Sequence, residues 1–263
     1  MRLATFNILN GRSTKDGTVR LDRLAGAVRS LDADILGLQE VDRLQERSHR
    51  ADLTAVAAEA MGARAHRFTA ALTGTAGATW VAATGAETPD GAAYGIALLS
   101  RYPVVHWQVL RLPRIPVRFP MWLPGPRKVI VVHDEPRTVV IGTFRTPFGD
   151  VAVANTHLSF VPGWGAHQLR RVIRDLAVFP EPVVLMGDLN MVTPGAAARA
   201  GYRSLARHDT FPVVEPDRQL DHILVRGRLG RVTSSRAQLL TLSDHRALVV
   251  DVSDDQAPSS AGR

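Results

Sequence analysis

The sequence predicts an α/β protein whose sheets are mixed, with both parallel and antiparallel neighbours. Apolar, β-branched runs of strand length recur along the chain, and amphipathic helical segments lie between only some of them. In addition, residues 137–158 contain two strand-like runs joined by TPFGD, which is typical of a hairpin. We therefore expect an α/β sandwich rather than a regular alternation of strands and helices.

The predicted strands are the segments in which aliphatic and β-branched residues are concentrated. In chain order they are RLATFNIL (2–9), DILGLQEV (34–41), YGIALLSR (94–101), VVHWQVLRL (104–112), RKVIVVH (127–133), RTVVIGTF (137–144), DVAVANTHL (150–158), PVVLMGDL (182–189), LDHILVRG (220–227) and RALVVDV (246–252).

Three segments have the apolar periodicity of amphipathic helices. They are RLDRLAGAVRSL (20–31), DLTAVAAEAMG (52–62) and GAHQLRRVIRDLAVF (165–179). The second segment ends at Gly62, a residue type that commonly terminates helices because it adopts left-handed backbone angles without strain.

The 263-residue chain is long enough to form a core without disulfide bonds, and it contains no Cys. Strand signals continue to about residue 252, so we expect one domain over residues 1–252 and a polar, disordered tail over 253–263. No apolar run approaches the roughly 20 residues that cross a bilayer. The first residues resemble a strand rather than a signal peptide. We therefore expect a cytoplasmic protein, and a monomer.

The formal net charge of +7 comes almost entirely from arginine. It favours a partner that carries phosphate, although an Arg- and Ala-rich composition also reflects genome base composition. Basic and apolar residues alternate in the proline-rich segment 111–128, around Phe119 and Trp122. Proline at this density excludes a central strand or helix, so we expect a rim loop or a mobile flap. Its aromatic residues either pack inward or contact an anionic membrane surface.

Polar residues that could bind a metal ion or a phosphate stand at the ends of several predicted strands. Each one alone has a structural explanation, since Asn and Asp favour turns. Together they include four carboxylates in apolar surroundings, and buried carboxylates are costly unless a cation neutralises them. Carboxylate and amide oxygens suit Mg²⁺ or Mn²⁺, so the set predicts metal-assisted hydrolysis of a phosphate ester. Its members are Asn7, Glu40, Asn155, His157, Asp188, Asn190, Asp221, Asp244 and His245.

Seven segments of the chain resemble the endonuclease/exonuclease/phosphatase superfamily, which has the DNase I-like fold. In the order of that family they are TFNILNGR, LGLQEVDR, YGIALLSRYPV, ANTHLSF, GDLNM, LDHILV and LSDHRALVVDV. They extend over nearly the whole chain. The resemblance implies a four-layered α/β/β/α sandwich of two packed mixed sheets, with the active site at one end, where strand ends and loops meet.

The resemblance also implies a metal site. Glu40 would be the principal metal carboxylate, and Asp244 would complete the site from the far end of the chain. Asn7 would be a ligand or a supporting group beside Glu40. The expected ion is Mg²⁺, with Mn²⁺ as a substitute.

Five further residues receive catalytic roles from the resemblance. Asp188 would orient and deprotonate the attacking water, and Asn190 would hold the phosphate or that water. His157 would donate a hydrogen bond to the phosphate. His245 would bind the scissile phosphate, with Asp221 accepting its other N–H. Whether Asp188 or His245 is the general base is left open.

Three arginines near these motifs are also expected to have defined contacts. Arg12 would line the rim of the site, and Arg101 would either contact substrate or cap a strand. Arg137 is expected to pair with Glu135.

The catalytic set does not select the substrate, because one fold hosts many activities. We expect a phosphodiester, either nucleic acid or a phospholipid or other small diester. The alternative is a non-catalytic phosphate- or nucleic-acid-binding protein that keeps the fold. Such a relative should lack one of the acidic or His positions, and none is missing. A serine hydrolase is disfavoured because no G-x-S-x-G sequence is present.

Overall fold

The computed structural model describes residues 1–88, 90–116, 119–123, 128–132 and 134–253, and for residues 119, 121–123 and 128–132 only the backbone is described. Two mixed β-sheets pack face to face, and helices cover the outer face of each. This confirms the predicted four-layered α/β/β/α sandwich of the DNase I-like type.

The described residues form fifteen strands and four α-helices. The strands are β1 (Arg2–Asn7), β2 (Ile35–Arg43), β3 (Ala65–Thr73), β4 (Val81–Ala82), β5 (Ala93–Ser100), β6 (Val104–Leu112), β7 (Phe119–Leu123), β8 (Lys128–Val132), β9 (Arg137–Thr146), β10 (Gly149–His157), β11 (Val183–Asp188), β12 (Arg203–Ser204), β13 (Asp221–Arg226), β14 (Arg231–Gln238) and β15 (Ala247–Ser253). The helices are α1 (Leu21–Leu31), α2 (Leu53–Met61), α3 (Trp164–Leu176) and α4 (Gly195–Ala200).

The strands form two main sheets and one small one. The first main sheet has the order β14-β15-β1-β2-β5-β3-β4, and the second has the order β12-β13-β11-β10-β9-β6. Strands β1 and β2 are parallel in the first sheet, and β10 and β11 are parallel in the second. The predicted hairpin over 137–158 is confirmed as the antiparallel pair of β9 and β10.

Three apolar layers hold the sandwich together. Helices α1 and α2 cover the first sheet, the inner faces of both sheets meet in the middle, and α3 and α4 cover the second sheet. Burying one Leu or Phe side chain contributes about 1.5–3 kcal/mol, so these layers dominate the stability. Fully buried examples, one pair from each layer, are Leu24 and Leu38, Ile35 and Phe144, and Leu169 and Leu185.

All three predicted helices are present, with small differences at their ends. At the start of α2, the Asp52 side chain accepts hydrogen bonds from the backbone N–H groups of Thr54 and Ala55. Gly62 ends that helix with φ of 67°, as predicted. Helix α4 and strands β3, β4, β12 and β14 were not predicted. Helix α4 is a short Ala-rich segment, β4 and β12 have two residues each, β3 is poor in β-branched apolar residues, and β14 lies at a sheet edge.

The proline-rich segment differs from its prediction. Residues 119–123 and 128–132 pair as a separate antiparallel sheet of two strands. The second strand confirms the one predicted at 127–133, whereas the prediction of a loop was wrong for residues 119–123. Pro120 is tolerated because each strand of a two-stranded sheet has an unpaired edge. Residues 117–118 and 124–127, and the side chains of Phe119 and Trp122, lie outside what is described. Membrane contact through 111–128 therefore stays a prediction.

At the end of the chain, Ser253 belongs to β15, one residue beyond the predicted boundary of the domain. The predicted disordered tail otherwise lies outside the described residues. Among the helices that the structure describes, none is long and apolar enough to span a bilayer.

The direction of the strands brings the predicted polar residues to one edge. Strands β1, β10 and β11 end there with Asn7, His157 and Asp188. Strand β2 runs parallel to β1, and its Gln39 pairs with Asn7, so Glu40 lies at the same edge. Strand β13 runs antiparallel to β11 and begins there, with Asp221 opposite Asp188. Strand β15 is antiparallel to β1, so the loop before it, which carries Asp244 and His245, reaches the same edge.

Candidate active site

Asn7 connects the two sheets at this edge. Its Nδ2 donates to Glu40 Oε1 and to Asp188 Oδ2, both at 3.1 Å. Its Oδ1 accepts the backbone N–H of Leu9 at 3.1 Å. Asn7 thus holds the two carboxylates through its amide nitrogen, while its oxygen keeps a second lone pair. Both roles predicted for Asn7, as a ligand or as a supporting group, stay predictions.

Glu40 has an unusual backbone conformation. Its φ is 56°, and it lies where the pairing of β2 with β5 shifts register between Leu38 and Val41. A bulge of this kind redirects a side chain out of the regular alternation. Burial raises the pKa of the Glu40 carboxyl, and the negative charge of Asp244 raises it further. The two carboxylates are thus close enough to repel each other.

The loop carrying Asp244 is fixed to β1 through Ser243. The Ser243 hydroxyl donates to the backbone oxygen of Asn7 at 2.6 Å and accepts the backbone N–H of His245 at 3.0 Å. The backbone N–H of Ser243 donates to the carbonyl oxygen of Arg12 at 2.8 Å. These contacts hold the loop before β15 against the end of β1 and the residues that follow it. Asp244 and His245 therefore keep a fixed position beside Glu40 and Asp188.

Asp188, Asp221 and His245 form a buried cluster. His245 Nδ1 lies 2.8 Å from Asp221 Oδ2, and His245 Nε2 lies 3.8 Å from Asp188 Oδ2. One ligand atom from each of the three residues lies within 4.8 Å of the others, so the group could hold a metal ion. Asp221 Oδ1 is buried and has no hydrogen-bond partner among the described residues. The bond between Asp221 and His245 is the pairing predicted from the sequence.

His157 and Asn190 complete the cluster. His157 Nε2 lies 3.5 Å from Asp188 Oδ2 and 3.2 Å from Asn190 Nδ2. The backbone N–H of Asn190 donates to Asp188 Oδ1 at 3.0 Å, and its Nδ2 donates to the Leu158 carbonyl oxygen at 3.0 Å. Asn190 therefore ends β11 in a turn and also places its amide beside the buried groups.

The two histidines carry different charges near neutral pH. Burial opposes the charged form of His245, but Asp221, Asp188 and Asp244 outweigh it and raise its pKa to about 10. Burial lowers the pKa of His157 well below its usual value, and Arg137 and His245 add to that effect. Burial, assisted by the charge of Asp221, raises the pKa of Asp188 to about 7. The site therefore combines a cationic imidazole, a neutral imidazole and a carboxylate that titrates near neutrality.

Residues 4–245 match the family described as Endonuclease/Exonuclease/phosphatase. The chain belongs to the endonuclease/exonuclease/phosphatase family. Membership indicates a metal-dependent hydrolase of phosphate esters, and the buried acidic and His cluster is consistent with binding a metal ion. The chain has no match among curated proteins.

Several solved structures share the fold. An endonuclease/exonuclease/phosphatase from Beutenbergia cavernae is 22% identical with a TM-score of 0.67, over 95% of this chain and 70% of that chain. A mannosyl-6-phosphatase from Bacteroides thetaiotaomicron is 18% identical with a TM-score of 0.62, over 96% of this chain and 99% of that chain. Truncated TDP2 from Caenorhabditis elegans is 18% identical with a TM-score of 0.59, over 95% of each chain. At these identities the similarity concerns the fold alone.

Arg101 lies away from the other predicted site residues, so its contact with substrate and its capping of a strand both stay predictions. Arg101 follows the end of β5 that pairs with Ile35, at the start of β2 and thus at the opposite end from Glu40. Its Nε donates to the Met61 carbonyl oxygen at 3.1 Å, and its Nη1 contacts Asp32 Oδ1 at 2.8 Å. It therefore ties the end of α2 to the far end of the sheet.

The other predicted arginines lie nearer to the site. Arg12 is exposed, and its backbone holds Ser243, so a role at the rim remains a prediction. The pairing of Arg137 with Glu135 is confirmed, with Nη1 and Oε2 3.8 Å apart. Arg137 is buried, and its charge acts on both Glu40 and His157.

Two features of the site were not found from the sequence. Ser243 precedes Asp244 in SDH, but nothing in the motif indicates that its hydroxyl fixes the loop. Asn155 was noted as a polar strand residue without a role. Its Nδ2 donates to the carbonyl oxygens of Leu38 and Ala97, at 3.0 and 2.9 Å, and so joins the two sheets behind the site. A contact across sheets depends on packing and leaves no local signal.

Proposed function

We propose that this protein is a Mg²⁺-dependent phosphodiesterase that directs a water molecule onto the phosphorus of its substrate. One observation carries the proposal. Asp188, a buried carboxylate at the end of β11, contacts Asn7 from the other sheet and lies within 4 Å of both His157 and His245. A carboxylate in such surroundings is costly for stability alone, and sites of this kind are typically functional.

The residues beside Asp188 fit a divalent cation. Glu40 and Asp244 supply hard carboxylate oxygens, which Mg²⁺ and Mn²⁺ prefer. Asn7 and Ser243 are their hydrogen-bonding partners among the described residues, and neither carboxylate is paired there with a basic side chain. Burial and, to a smaller extent, the charge of Asp244 raise the pKa of Glu40, and a bound cation would offset both effects. Such an ion, when bound, neutralises charge on the phosphoryl oxygens and favours attack by water.

Asp188 is better suited than His245 to act as the general base. A base must be largely deprotonated at the working pH and still accept a proton, and the Asp188 pKa of about 7 meets both conditions. His245, with a pKa of about 10, already carries its proton and instead donates from Nε2 to a phosphoryl oxygen. Asp221 holds the opposite ring nitrogen and so fixes the direction of that donation.

His157 and Asn190 orient the phosphate without adding charge. Neutral His157 contributes a ring nitrogen beside Asp188, and the Asn190 amide lies 3.2 Å from that nitrogen. Within the part of the chain that the structure describes, His245 is the cationic side chain in contact with Asp188, and Arg137 pairs with Glu135. One cationic donor suits the single negative charge of a diester better than the double charge of a phosphate monoester.

The test is a substrate panel measured with one preparation of the protein. Bis-p-nitrophenyl phosphate, a diester, should be hydrolysed at least tenfold faster than p-nitrophenyl phosphate, a monoester. Treatment with EDTA should abolish the reaction, and Mg²⁺ or Mn²⁺ should restore it. Single-stranded DNA, RNA and sphingomyelin in the same panel would distinguish nucleic acid from phospholipid substrates. Binding of these compounds without hydrolysis, with metal present, would instead favour the non-catalytic alternative.

A further inference from the structure

A cavity of about 530 Å³ opens beside the catalytic cluster. It lies between residues 159–166, which follow β10 and begin α3, and residues 190–195, which follow β11. Its volume is within the range of small-molecule binding sites. None of the roles assigned to the catalytic residues requires this space.

The lining of the cavity is largely apolar, and part of it is exposed to water. Phe160 and Val192 are 43% and 55% exposed, which is unusual for large apolar side chains. They face the same cavity, together with Met191 and Val161. Arg199 is the charged side chain among the described lining residues. Apolar surface gathered in this way next to polar groups is typical of a ligand site.

Asn190 connects the cavity to the reaction. It lines the cavity, and its backbone N–H donates to Asp188, the carboxylate proposed to hold the water. In an in-line displacement the leaving group departs from the side of the phosphorus opposite the water. The substituents that stay on the phosphorus lie between these two positions, so a cavity that borders Asp188 through Asn190 is nearer to a retained substituent than to the leaving group.

We propose that this cavity binds the non-leaving ester substituent of the substrate, and that this substituent is an apolar group of ring size. The inference rests on the proposed function, and it narrows the substrate class to diesters in which the retained group is aromatic or similarly apolar. The Phe160 side chain supplies an aromatic surface for such a group. A methyl group would leave most of the cavity unfilled.

The experiment compares two diesters with the same leaving group. Methyl p-nitrophenyl phosphate and phenyl p-nitrophenyl phosphate both release p-nitrophenolate, so their difference reports the retained group. The wild-type protein should have a kcat/KM about tenfold higher for the phenyl diester. Phe160→Ala and Val192→Ala should each bring the ratio of the phenyl to the methyl kcat/KM close to one. Val178→Ala, which truncates an 80% exposed side chain outside the cavity, is the matched control.

A second test uses a variant that fills the cavity, whereas the variants above enlarge it. Ala166→Met places a larger side chain in the lining and should lower the ratio of the phenyl to the methyl kcat/KM about tenfold. Hydrolysis of both diesters without a preference, or equal losses on both in all three variants, would overturn the cavity assignment alone. Failure of the wild-type protein to hydrolyse either diester with Mg²⁺ or Mn²⁺ present would overturn the proposed function, and the cavity assignment with it.

Discussion

Asp188 is placed where its ionised form is useful for chemistry and costly for stability. Burial raises its pKa from 3.8 to about 7, so the folded protein holds this proton more tightly than the unfolded chain does. Stability of the metal-free protein should therefore fall as the pH rises from about 4 towards 7. The same shift brings the carboxylate into the range in which a general base works best.

Replacing Asp188 separates these two effects. Asp188→Asn should lower kcat for bis-p-nitrophenyl phosphate by roughly 10²–10⁴-fold, since a general base is lost. In EDTA at pH 8, urea unfolding should show the variant to be at least as stable as the wild-type protein, because the costly ionised group is gone. A variant that keeps most of its activity would exclude Asp188 as the base.

The pair of His245 and Asp221 makes stability fall with rising pH as well, but in a higher pH range. The pKa of His245 is raised from 6.5 to about 10, so its contribution to stability is complete below about pH 6.5 and is lost as the pH rises through 10. Asp221→Asn should cost roughly 1.5–3 kcal/mol of unfolding free energy at pH 6 and less at pH 10, measured in EDTA. Asp217→Asn, at an exposed carboxylate, is the control. An equal cost at both pH values would contradict the charged pairing.

At the scale of elements, the site depends on how closely the strands approach one another. Gly187 has φ of 138°, and a Cβ at this position would lie 1.8 Å from the Thr156 carbonyl oxygen of β10. The glycine of GDLN therefore allows β11 to lie against β10 directly before Asp188. The sequence predicted a role for the polar residues at the end of this strand. It did not explain the glycine, because the reason is the close approach of the neighbouring strand β10.

The contact between the two sheets behind the site rests on Asn155. Gln39 Nε2 donates to Asn155 Oδ1 at 2.6 Å, and Gly37 makes room, since a Cβ there would lie 2.8 Å from the same oxygen. Asn155→Ala removes the hydrogen bonds of this side chain to Gln39 Nε2 and to the carbonyl oxygens of Leu38 and Ala97, all buried groups of the first sheet. Each such group costs about 1–3 kcal/mol.

We therefore expect Asn155→Ala to lower the free energy of unfolding by at least about 2 kcal/mol in urea titration. Gln238→Ala is the control, because its hydrogen bonds to Ser30 lie at the surface. A loss no larger than that of the control would show that the sheets are held by apolar contacts alone.

At the scale of the whole molecule, the sequence predicted most of the strands and the three longer helices because their apolar patterns are local. It also predicted the convergence of the polar residues, because parallel strands end at a common edge. It failed where a property depends on distant packing. Arg101 follows a strand, as several of the predicted site residues do. That strand, β5, is antiparallel to β2 and therefore places Arg101 at the end of the sheet opposite Glu40.

The two-stranded sheet of β7 and β8 illustrates the same limit for an element. Its prolines exclude a central strand but not a ribbon with two free edges, and the sequence alone did not separate these cases. The cavity beside Asn190 was likewise invisible, because its lining comes from two loops separated along the chain.

The central claim is that side chains from both ends of the chain create one cation-dependent hydrolytic site. Calorimetric titration with Mn²⁺ tests it most directly, on the wild-type protein and on Glu40→Gln, with Glu59→Gln as a control at an exposed position of α2. We predict saturable binding to the wild-type and control proteins, and at least tenfold weaker binding to Glu40→Gln, with a parallel loss of Mn²⁺-dependent hydrolysis. Unchanged Mn²⁺ affinity and activity in Glu40→Gln would contradict the account.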